Sequence, residues 1–237
     1  MKKIAIVPAY NEQGAIGGVV DEIRAFDPEF DVLVVDDCSQ DATAETARAH
    51  GARVVTLPFN LGIGGAVQTG FRYAAHHGYE LAARVDGDGQ HDPSELRALI
   101  DGVVRGDADI CVGSRFVGAE GYRSSRSRRV GIRILAGTVS LLTGQRLTDT
   151  TSGFQVLDRK AIELFAADYP HDYPEVEAAL MLHKHRLRLT ELPVRMRERT
   201  AGRSSIRGVR SVYYMAKVML AILIGSLRRR ELPLEDA

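Results

Sequence analysis

The chain opens with KIAIVPAYNEQGAIGGVVDEIRAFDPEFDVLVVD (residues 3–36), in which two short apolar segments flank a longer amphipathic one. Residues 3–8 and 31–36 are rich in β-branched side chains, which is typical of buried strands. Between Gly14 and Phe26 the apolar residues recur at helical spacing instead. This part of the chain therefore predicts a strand, a helix and a second strand in succession.

The same alternation continues to residue 113. The patterns predict helices over residues 41–50, 64–77 and 93–105, and strands over residues 53–57, 81–86 and 108–113. Repeated alternation predicts an α/β fold, in which helices cover both faces of a mostly parallel sheet. Ligands of such sheets bind beyond the carboxyl ends of the strands. We therefore expect Pro8, Asp36, Asp86 and Arg115 to line one crevice.

After residue 115 the pattern is less regular. A basic, serine-rich loop is predicted at residues 120–129 and is expected to be mobile without ligand. Further predicted elements are helices at 130–143, 160–166 and 174–184, and strands at 154–157 and 187–194. Because no linker or repeat interrupts the chain, residues 1–207 are predicted to form one domain, followed by an amphipathic helix and tail at residues 208–237.

Residues 211–227 form the most apolar segment, and arginines flank it on both sides. A helix that spans a bilayer needs about 20 predominantly apolar residues, and Lys217 interrupts this one. An apolar helix with basic ends fits the membrane interface. A helix packed on the domain or on a second subunit is the alternative, and both interpretations remain open.

Composition limits the classes of function. The 237 residues are 45% hydrophobic and 26% charged, as in globular proteins. A formal net charge of zero argues against a nucleic-acid binder, although arginine-rich residues 123–133 and 195–210 predict local basic surfaces. Cys38 and Cys111 lack metal-ligand spacing and are expected to be reduced core thiols of a cytoplasmic protein. Residues 1–3 lead directly into the first strand, without a signal-peptide pattern.

A turn with two carboxylates, Asp86-Gly87-Asp88-Gly89-Gln90, follows the strand predicted at residues 81–86. Carboxylate oxygens suit Mg²⁺ or Mn²⁺, and such ions are usually held by one or two carboxylates together with substrate phosphates. Gly87 and Gly89 let a bulky ligand approach the backbone. The turn therefore predicts a divalent metal and a substrate that carries a diphosphate, although Asp and Gly are also ordinary turn residues.

Several motifs, taken together and in this order, resemble the family 2 glycosyltransferases of the GT-A fold. Besides Asp86–Gln90 they are Val7–Glu12, Val34–Asp41, Asn60–Gly65, Gly113–Arg115, Asp149–Phe154, Leu192–Val194 and Arg199–Ser205. The resemblance covers nearly the whole chain and implies a single Rossmann-like domain. Within the family it is closest to the dolichol-phosphate mannose synthase branch, which moves a sugar from a nucleotide diphosphate to a polyprenyl phosphate.

The resemblance also implies roles for individual residues. The metal residues would be Asp86, Asp88 and Gln90, and the catalytic residues Asp88, Arg115 and Asp149. Residues implied to bind the nucleotide sugar or the acceptor are Pro8, Ala9, Tyr10, Glu12, Val35, Asp36, Asp37, Gly62, Gly64, Asp86, Gly87, Gln90, Arg115, Arg129, Arg199, Arg203 and Ser205. The donor would be GDP-mannose or a UDP-sugar. The chemistry agrees, since an aromatic ring stacks on a base and a carboxylate accepts from a base N–H.

Several of these residues also have purely structural interpretations. Glu12 and Asp41 also suit helix capping, Asp36 and Asp37 suit a surface turn, and His91 is expected to be a turn residue before Asp92-Pro93 rather than a metal ligand. The branch often carries a lysine or a similar donor at the position of Ser205, which leaves open which basic residue meets an acceptor phosphate.

The identity of the acceptor decides whether a base is needed. A lipid phosphate, with a second pKa of about 6, is already anionic near pH 7, and inversion by in-line displacement would then need no strong base. A sugar hydroxyl would need one, and Asp149, Asp172, Glu175 and Glu177 are the candidates. The resemblance favours Asp149.

Other classes of protein fit the sequence less well. Gly62-Ile63-Gly64-Gly65 resembles a dinucleotide-binding fingerprint, but its third small position falls on Val67 and it follows the third predicted strand rather than the first. A non-catalytic nucleotide-sugar-binding subunit is the second rival. The intact Asp86, Asp88 and Gln90 argue against that one.

Overall fold

A computed structural model describes residues 1–117, 126–170 and 174–197, with the backbone alone for residues 126–131. Its strands are β1 (Lys3–Ala9), β2 (Phe30–Asp36), β3 (Arg53–Thr56), β4 (Leu81–Arg84), β5 (Ile110–Ser114), β6 (Gln155–Asp158) and β7 (Leu189–Pro193). The helices are α1 (Ile16–Phe26), α2 (Thr43–Ala49), α3 (Gly62–His76), α4 (Leu96–Val104), α5 (Arg126–Thr143), α6 (Arg159–Ala167) and α7 (Pro174–Lys184). A short 3₁₀ turn, Pro93–Glu95, precedes α4.

The strands form one sheet in the order β3-β2-β1-β4-β6-β5-β7. The pairs β1–β2, β1–β4, β2–β3 and β5–β7 are parallel, whereas β6 runs antiparallel to both β4 and β5. The prediction of a mostly parallel α/β sheet is therefore confirmed. Because β6 is reversed, its first residue, Gln155, lies beside Arg84 and Val112 near the carboxyl ends of β4 and β5. The segment before β6 thus reaches the edge of the sheet at which ligands are expected.

Both faces of the sheet are buried, which explains why its strands are apolar at successive positions. On β1, Val7 packs with α1 and α4 on one face, whereas Ile6 packs with α3 and α6 on the other. The alternation follows from the period of two residues in a strand.

A smaller cluster joins α5 to α7 through Leu135, Val139, Val176 and Leu180. Helix α5 begins at Arg126, four residues before the predicted start at residue 130, so residues 126–129 belong to a helix and not to the predicted loop. The expectation of mobility falls mainly on residues 118–125, which lie outside the described residues, as do Asp172 and the segment 208–237.

The two cysteines differ in how deeply they are buried. Both cysteines are free. Cys111 is buried in β5 as expected, but Cys38 is only half-buried, in a turn with a left-handed φ of 62°, so its assignment to the core was wrong. Within residues 1–117, 126–170 and 174–197, no helix is long and apolar enough to cross a membrane.

Candidate active site

The carboxyl ends of β1, β2 and β4 meet in one crevice. Ala9 O accepts a hydrogen bond from Asp37 N–H at 2.9 Å, and Pro8 O accepts one from Gly87 N–H at 3.2 Å. These bonds place the three motifs side by side at the edge of the sheet where the crevice is predicted.

The side of the crevice formed by β1 and β2 combines one exposed ring with two buried acids. Tyr10 is 46% exposed, whereas Asp36 and Asp37 are buried. Asp37 Oδ1 accepts the N–H of Leu61 at 2.7 Å, so this carboxylate ties the end of β2 to the start of α3. Burial raises the pKa of Asp37, although the N–H groups of Leu61 and Gly62 oppose the shift.

Three of the predicted binding residues differ in what they can present to a ligand. Val35 packs in the core, and its partner across the β1–β2 pair is Pro8, so only its backbone is available. Gly62 has a φ of +76° at the start of α3. Gly64 is buried within the first turn of the same helix.

The N-cap residues of α1 and α2 are Ala15 and Ala42, and neither makes a side-chain cap, so the capping interpretation of Glu12 and Asp41 was wrong. The Asp41 carboxylate accepts the N–H of Thr43 at 3.0 Å and the N–H of Gln13 at 3.3 Å, so it orders the start of α2. Helix α1 has no side-chain cap. Glu12 instead donates its backbone N–H to Thr43 Oγ1 at 2.8 Å, which holds the turn after β1 against α2.

The acidic turn follows β4, which ends at Arg84, two residues before its predicted end. Asp86 is one-third exposed and Asp88 is buried, with its Oδ1 accepting the N–H of Gln90 at 3.1 Å. A Cβ on Gly87 would lie 3.1 Å from Pro8 O, so glycine lets this turn lie close to β1.

The oxygen donors of this turn suit a hard cation. Across the described part of the chain, no group of three or more His, Cys, Asp or Glu side chains is arranged to hold a metal. Two carboxylates with an amide, completed by substrate phosphates, are a donor set that Mg²⁺ commonly takes.

His91 is hydrogen-bonded to the backbone of the acidic turn. Its Nδ1 accepts the N–H of Asp86 at 3.0 Å, and its ring packs on Phe154 at 4.7 Å between centroids. Burial lowers the pKa of His91, against the opposing charges of Asp86 and Asp88. Since Nδ1 accepts, the ring proton is on Nε2, 3.8 Å from Asp86 Oδ2. The expectation that His91 is an ordinary turn residue therefore missed its buried, supporting position.

Charges of both signs surround this histidine. Those of Asp86, Asp88, Arg84 and Arg115 all act on its titration. The acidic turn, Arg84 and Arg115 therefore lie near enough for their charges to act on this ring.

Arg115, at the end of β5, is held rigidly by Asp149. Its Nε and Nη2 donate to the two carboxylate oxygens at 2.7 and 2.8 Å, and its backbone N–H donates to Oδ2 at 3.1 Å. Burial by itself would raise the pKa of Asp149, but the hydrogen bonds and charge of Arg115 hold it below its usual value. A carboxylate with a lowered pKa is a weak base, and its pairing fixes the position of the guanidinium.

Glu191 on β7 holds this pair in turn, and the sequence contains no pattern that identifies it. Its carboxylate accepts the N–H of Asp149 at 2.8 Å, and the N–H and hydroxyl of Thr148 at 2.8 and 2.7 Å. Two segments that are distant from Arg115 in sequence, residues 148–149 and β7, therefore order its side chain.

Arg197, in the arginine-rich segment at residues 195–210, already forms two ion pairs. Arg197 pairs with Glu22 at 2.7 Å and Asp92 at 2.9 Å, and its backbone N–H donates to Gln90 O at 2.9 Å. The side chain of Arg129, and all of Arg199, Arg203 and Ser205, lie outside the described residues.

Comparison with known proteins identifies the family of this chain. The model of the family described as glycosyl transferase family 2 matches residues 4–165. The chain belongs to glycosyltransferase family 2. The chain is therefore a glycosyltransferase, and the resemblance predicted from the ordered motifs is confirmed.

Two relatives of this family 2 glycosyltransferase match most of its length. The undecaprenyl-phosphate mannosyltransferase of Micrococcus luteus is 32% identical, over 88% of this chain and 88% of the relative. The polyprenol monophosphomannose synthase of Mycolicibacterium smegmatis is 31% identical, over 96% of this chain and 89% of the relative.

A solved structure supports the GT-A fold. Glucosyl-3-phosphoglycerate synthase from Mycobacterium tuberculosis, in complex with Mn²⁺, uridine diphosphate and glucosyl-3-phosphoglycerate, superposes with a TM-score of 0.69 at 22% identity. The match covers 95% of this family 2 chain and 79% of the other. At this identity the likeness concerns the fold, and the predicted GT-A architecture is confirmed.

Proposed function

We propose that the protein transfers a hexose from a nucleotide diphosphate sugar to a polyprenyl phosphate, with inversion at the anomeric carbon and with Mg²⁺ or Mn²⁺. The observation that carries this proposal is the buried Arg115–Asp149 pair, joined to Asp86 by the short segment from Asp149 to Gly153. A guanidinium fixed near an acidic turn supports a site for an anionic acceptor next to one for a diphosphate with its cation.

The acceptor is inferred from what Asp149 does. Both of its oxygens are engaged by Arg115, which leaves it ill suited to remove a proton from a hydroxyl. A phosphate acceptor needs no such step, because it is already anionic near neutral pH. The names of the two relatives, which specify undecaprenyl phosphate and polyprenol, support the same acceptor class.

The donor occupies the opposite part of the crevice. Tyr10 stacks on the base or ribose, Glu12 faces the ribose hydroxyls, and Asp36 and Asp37 accept from the base. The glycines at the start of α3 and in the acidic turn allow the phosphates to approach the backbone.

Asp86, Asp88 and Gln90 would hold the cation, and their oxygen donors fit it. A bound Mg²⁺ or Mn²⁺ supplies Lewis-acid neutralisation of the diphosphate. Asp88 and its neighbours orient the diphosphate, and Arg115 orients the acceptor. One acceptor oxygen then bonds to the anomeric carbon as the bond from that carbon to the diphosphate breaks, and the nucleoside diphosphate leaves.

The remaining site residues and the location follow from the same acceptor. Arg129, Arg199, Arg203 and Ser205 contribute to binding the lipid phosphate beside Arg115. Residues 1–207 carry the chemistry, and the amphipathic segment at 208–237 brings the protein to the cytoplasmic face of a membrane or to a second subunit.

The test is a panel of GDP- and UDP-sugars assayed with and without polyprenyl phosphate, and with Mg²⁺, Mn²⁺ or a chelator. We expect turnover to require both the metal and the lipid phosphate, and to fall about a hundredfold or more in Asp88→Ala. The control Asp101→Ala, exposed on α4, should keep full activity. Metal-independent turnover that Asp88→Ala leaves unchanged would overturn the proposal. Transfer to a saccharide hydroxyl, and not to polyprenyl phosphate, would overturn the proposed acceptor class.

A further inference from the structure

Arg84 is a buried charge that the proposed reaction does not use. It ends β4, two residues before Asp86, and only 1% of its side chain is exposed. A buried charge is costly unless it is paired and hydrogen-bonded. A charged residue between Ala83 and Val85 in a strand buried on both faces therefore needs a partner.

Its partners come from distant parts of the chain. Nη2 donates to Glu175 Oε1 on α7 at 2.7 Å, and Nη1 lies 3.3 Å from the hydroxyl of Tyr169. The same Nη2 is 3.5 Å from Asp86 Oδ1. Burial lowers the pKa of Arg84, but the charges of Glu175, Tyr169 and Asp86 raise it above its usual value, so the guanidinium stays charged.

The segment before β6 is shaped to admit this contact. A Cβ on Gly153 would lie 2.8 Å from Arg84 Nη2 and 2.8 Å from Asp86 Oδ2. Those distances are shorter than a carbon atom tolerates, so a larger residue at position 153 would displace the arginine or the carboxylate.

We propose that Arg84 is a positioning residue that holds the Asp86 carboxylate ready for the metal, and that Glu175 holds Arg84 in place. The inference rests on the metal-dependent function proposed above. It also gives Glu175 a role other than that of a base.

The physical reason is the balance of charge in the crevice. Asp86, Asp88 and Glu175 are three carboxylates in a partly enclosed volume, and like charges disfavour ionisation and push one another apart. A fixed guanidinium 3.5 Å from Asp86 Oδ1 offsets this repulsion and orients the carboxylate before a cation arrives. Asp86 remains one-third exposed, so a cation can reach it.

The experiment compares Mn²⁺ binding, measured by calorimetry in the presence of the nucleoside diphosphate, in three variants. The double variant Arg84→Met/Glu175→Gln removes both charges, so that neither Glu175 nor Arg84 is left buried without a hydrogen-bonding partner. We expect it to fold and to bind Mn²⁺ about tenfold or more weakly, as is typical when a residue that orients a metal ligand is removed.

Glu175→Gln alone separates the two roles of that residue, because the amide oxygen can still accept from Arg84. We expect its Mn²⁺ affinity and its turnover to stay within about tenfold of the native values. A loss of turnover of more than a hundredfold at native Mn²⁺ affinity would identify Glu175 as a base and overturn its assignment here.

The exposed pair Arg159–Glu163, at 2.7 Å, supplies the matched control Arg159→Met/Glu163→Gln, which should bind Mn²⁺ normally. Native Mn²⁺ affinity in the folded Arg84 double variant would overturn the inference about Arg84. Absence of Mn²⁺ binding in the native protein would instead overturn the metal dependence proposed above, so the two failures are distinguishable.

Discussion

Among the residues of the crevice, Asp149 shows how burial and pairing act together on one carboxylate. It is 1% exposed, and Arg115 engages both of its oxygens. Removing one partner of a buried pair usually costs about 3–5 kcal/mol, because the other charge is left unpaired. The pair therefore contributes to stability as well as to the shape of the site.

The lowered pKa of Asp149 predicts a pH dependence. A carboxyl group whose pKa is depressed on folding stabilises the protein above its unfolded pKa, and that contribution is lost as the pH falls through the folded value. We expect Asp149→Asn to lower the free energy of unfolding at pH 7. The difference from the native protein should shrink as the pH falls below about 3.8, the ordinary value for this group. Urea unfolding at a series of pH values measures it.

The control for this prediction is Asp107→Asn, since Asp107 pairs with Arg105 at the surface, with both side chains more than half exposed. Exposed pairs contribute about 1 kcal/mol or less. A pH profile of Asp149→Asn parallel to that of the native protein would contradict the lowered pKa.

At the scale of elements, the close approach of α3 to β1 depends on Gly70. A Cβ at that position would lie 2.3 Å from Ile6 Cγ2, inside the core. Helix α3 also begins beside Asp37, so its position affects the nucleotide side of the crevice.

We expect Gly70→Ala to destabilise the protein by about 1–3 kcal/mol, because an extra carbon in a packed core forces the neighbours apart. Gly18→Ala is the matched control, as its Cβ on α1 would meet nothing within 4 Å. That substitution should stabilise the protein by about 0.5–1 kcal/mol through the higher helix propensity of alanine. Chemical denaturation measures both, and equal effects would contradict the close packing of α3.

For the whole molecule, ligand binding and folding are linked. A ligand that binds only the folded state stabilises it by about 2.7 kcal/mol at a hundred times its Kd. For a chain of this size we expect a nucleoside diphosphate with Mn²⁺ to raise Tm by about 5–10 °C at that concentration. Thermal unfolding with GDP and with UDP would also identify the base.

Asp88→Ala should lose the part of this increase that depends on Mn²⁺ and keep the native Tm without ligand. An increase that is equally large with a chelator present would contradict a metal held at the acidic turn.

The two thiols report separately on the surface and on the core. Burial raises the pKa of Cys111 to about 11, whereas Cys38 is half-buried in a turn. Because the thiolate is the reactive form, we expect iodoacetamide at pH 8 to modify Cys38 in the native protein and Cys111 only on global unfolding. Mass spectrometry after pulse labelling in increasing urea measures this. Rapid modification of Cys111 without denaturant would contradict its enclosure in the sheet.

Much of the fold was predictable because its signals are local. Helix α7 was predicted at residues 174–184 and observed at Pro174–Lys184, and the acidic turn was recognised from the spacing of Asp86 and Asp88. Strand period, helix period and turn chemistry are all properties of neighbouring residues. The ordered motifs then identified the family.

The tertiary structure alone decided which distant residues meet. Only the reversal of β6 between β4 and β5 brings the segment after Asp149 to the crevice, and strand direction leaves no mark in the period of a strand. The Arg84–Glu175 contact joins residues that are 91 positions apart in sequence. The hydrogen bond between Asp149 and Glu191 joins residues that are 42 positions apart. The sequence by itself determined the elements and the chemistry of the acidic turn. The pairs that orient this turn and Arg115 depend on which elements become neighbours, because burial makes such charges find partners wherever the packing brings them.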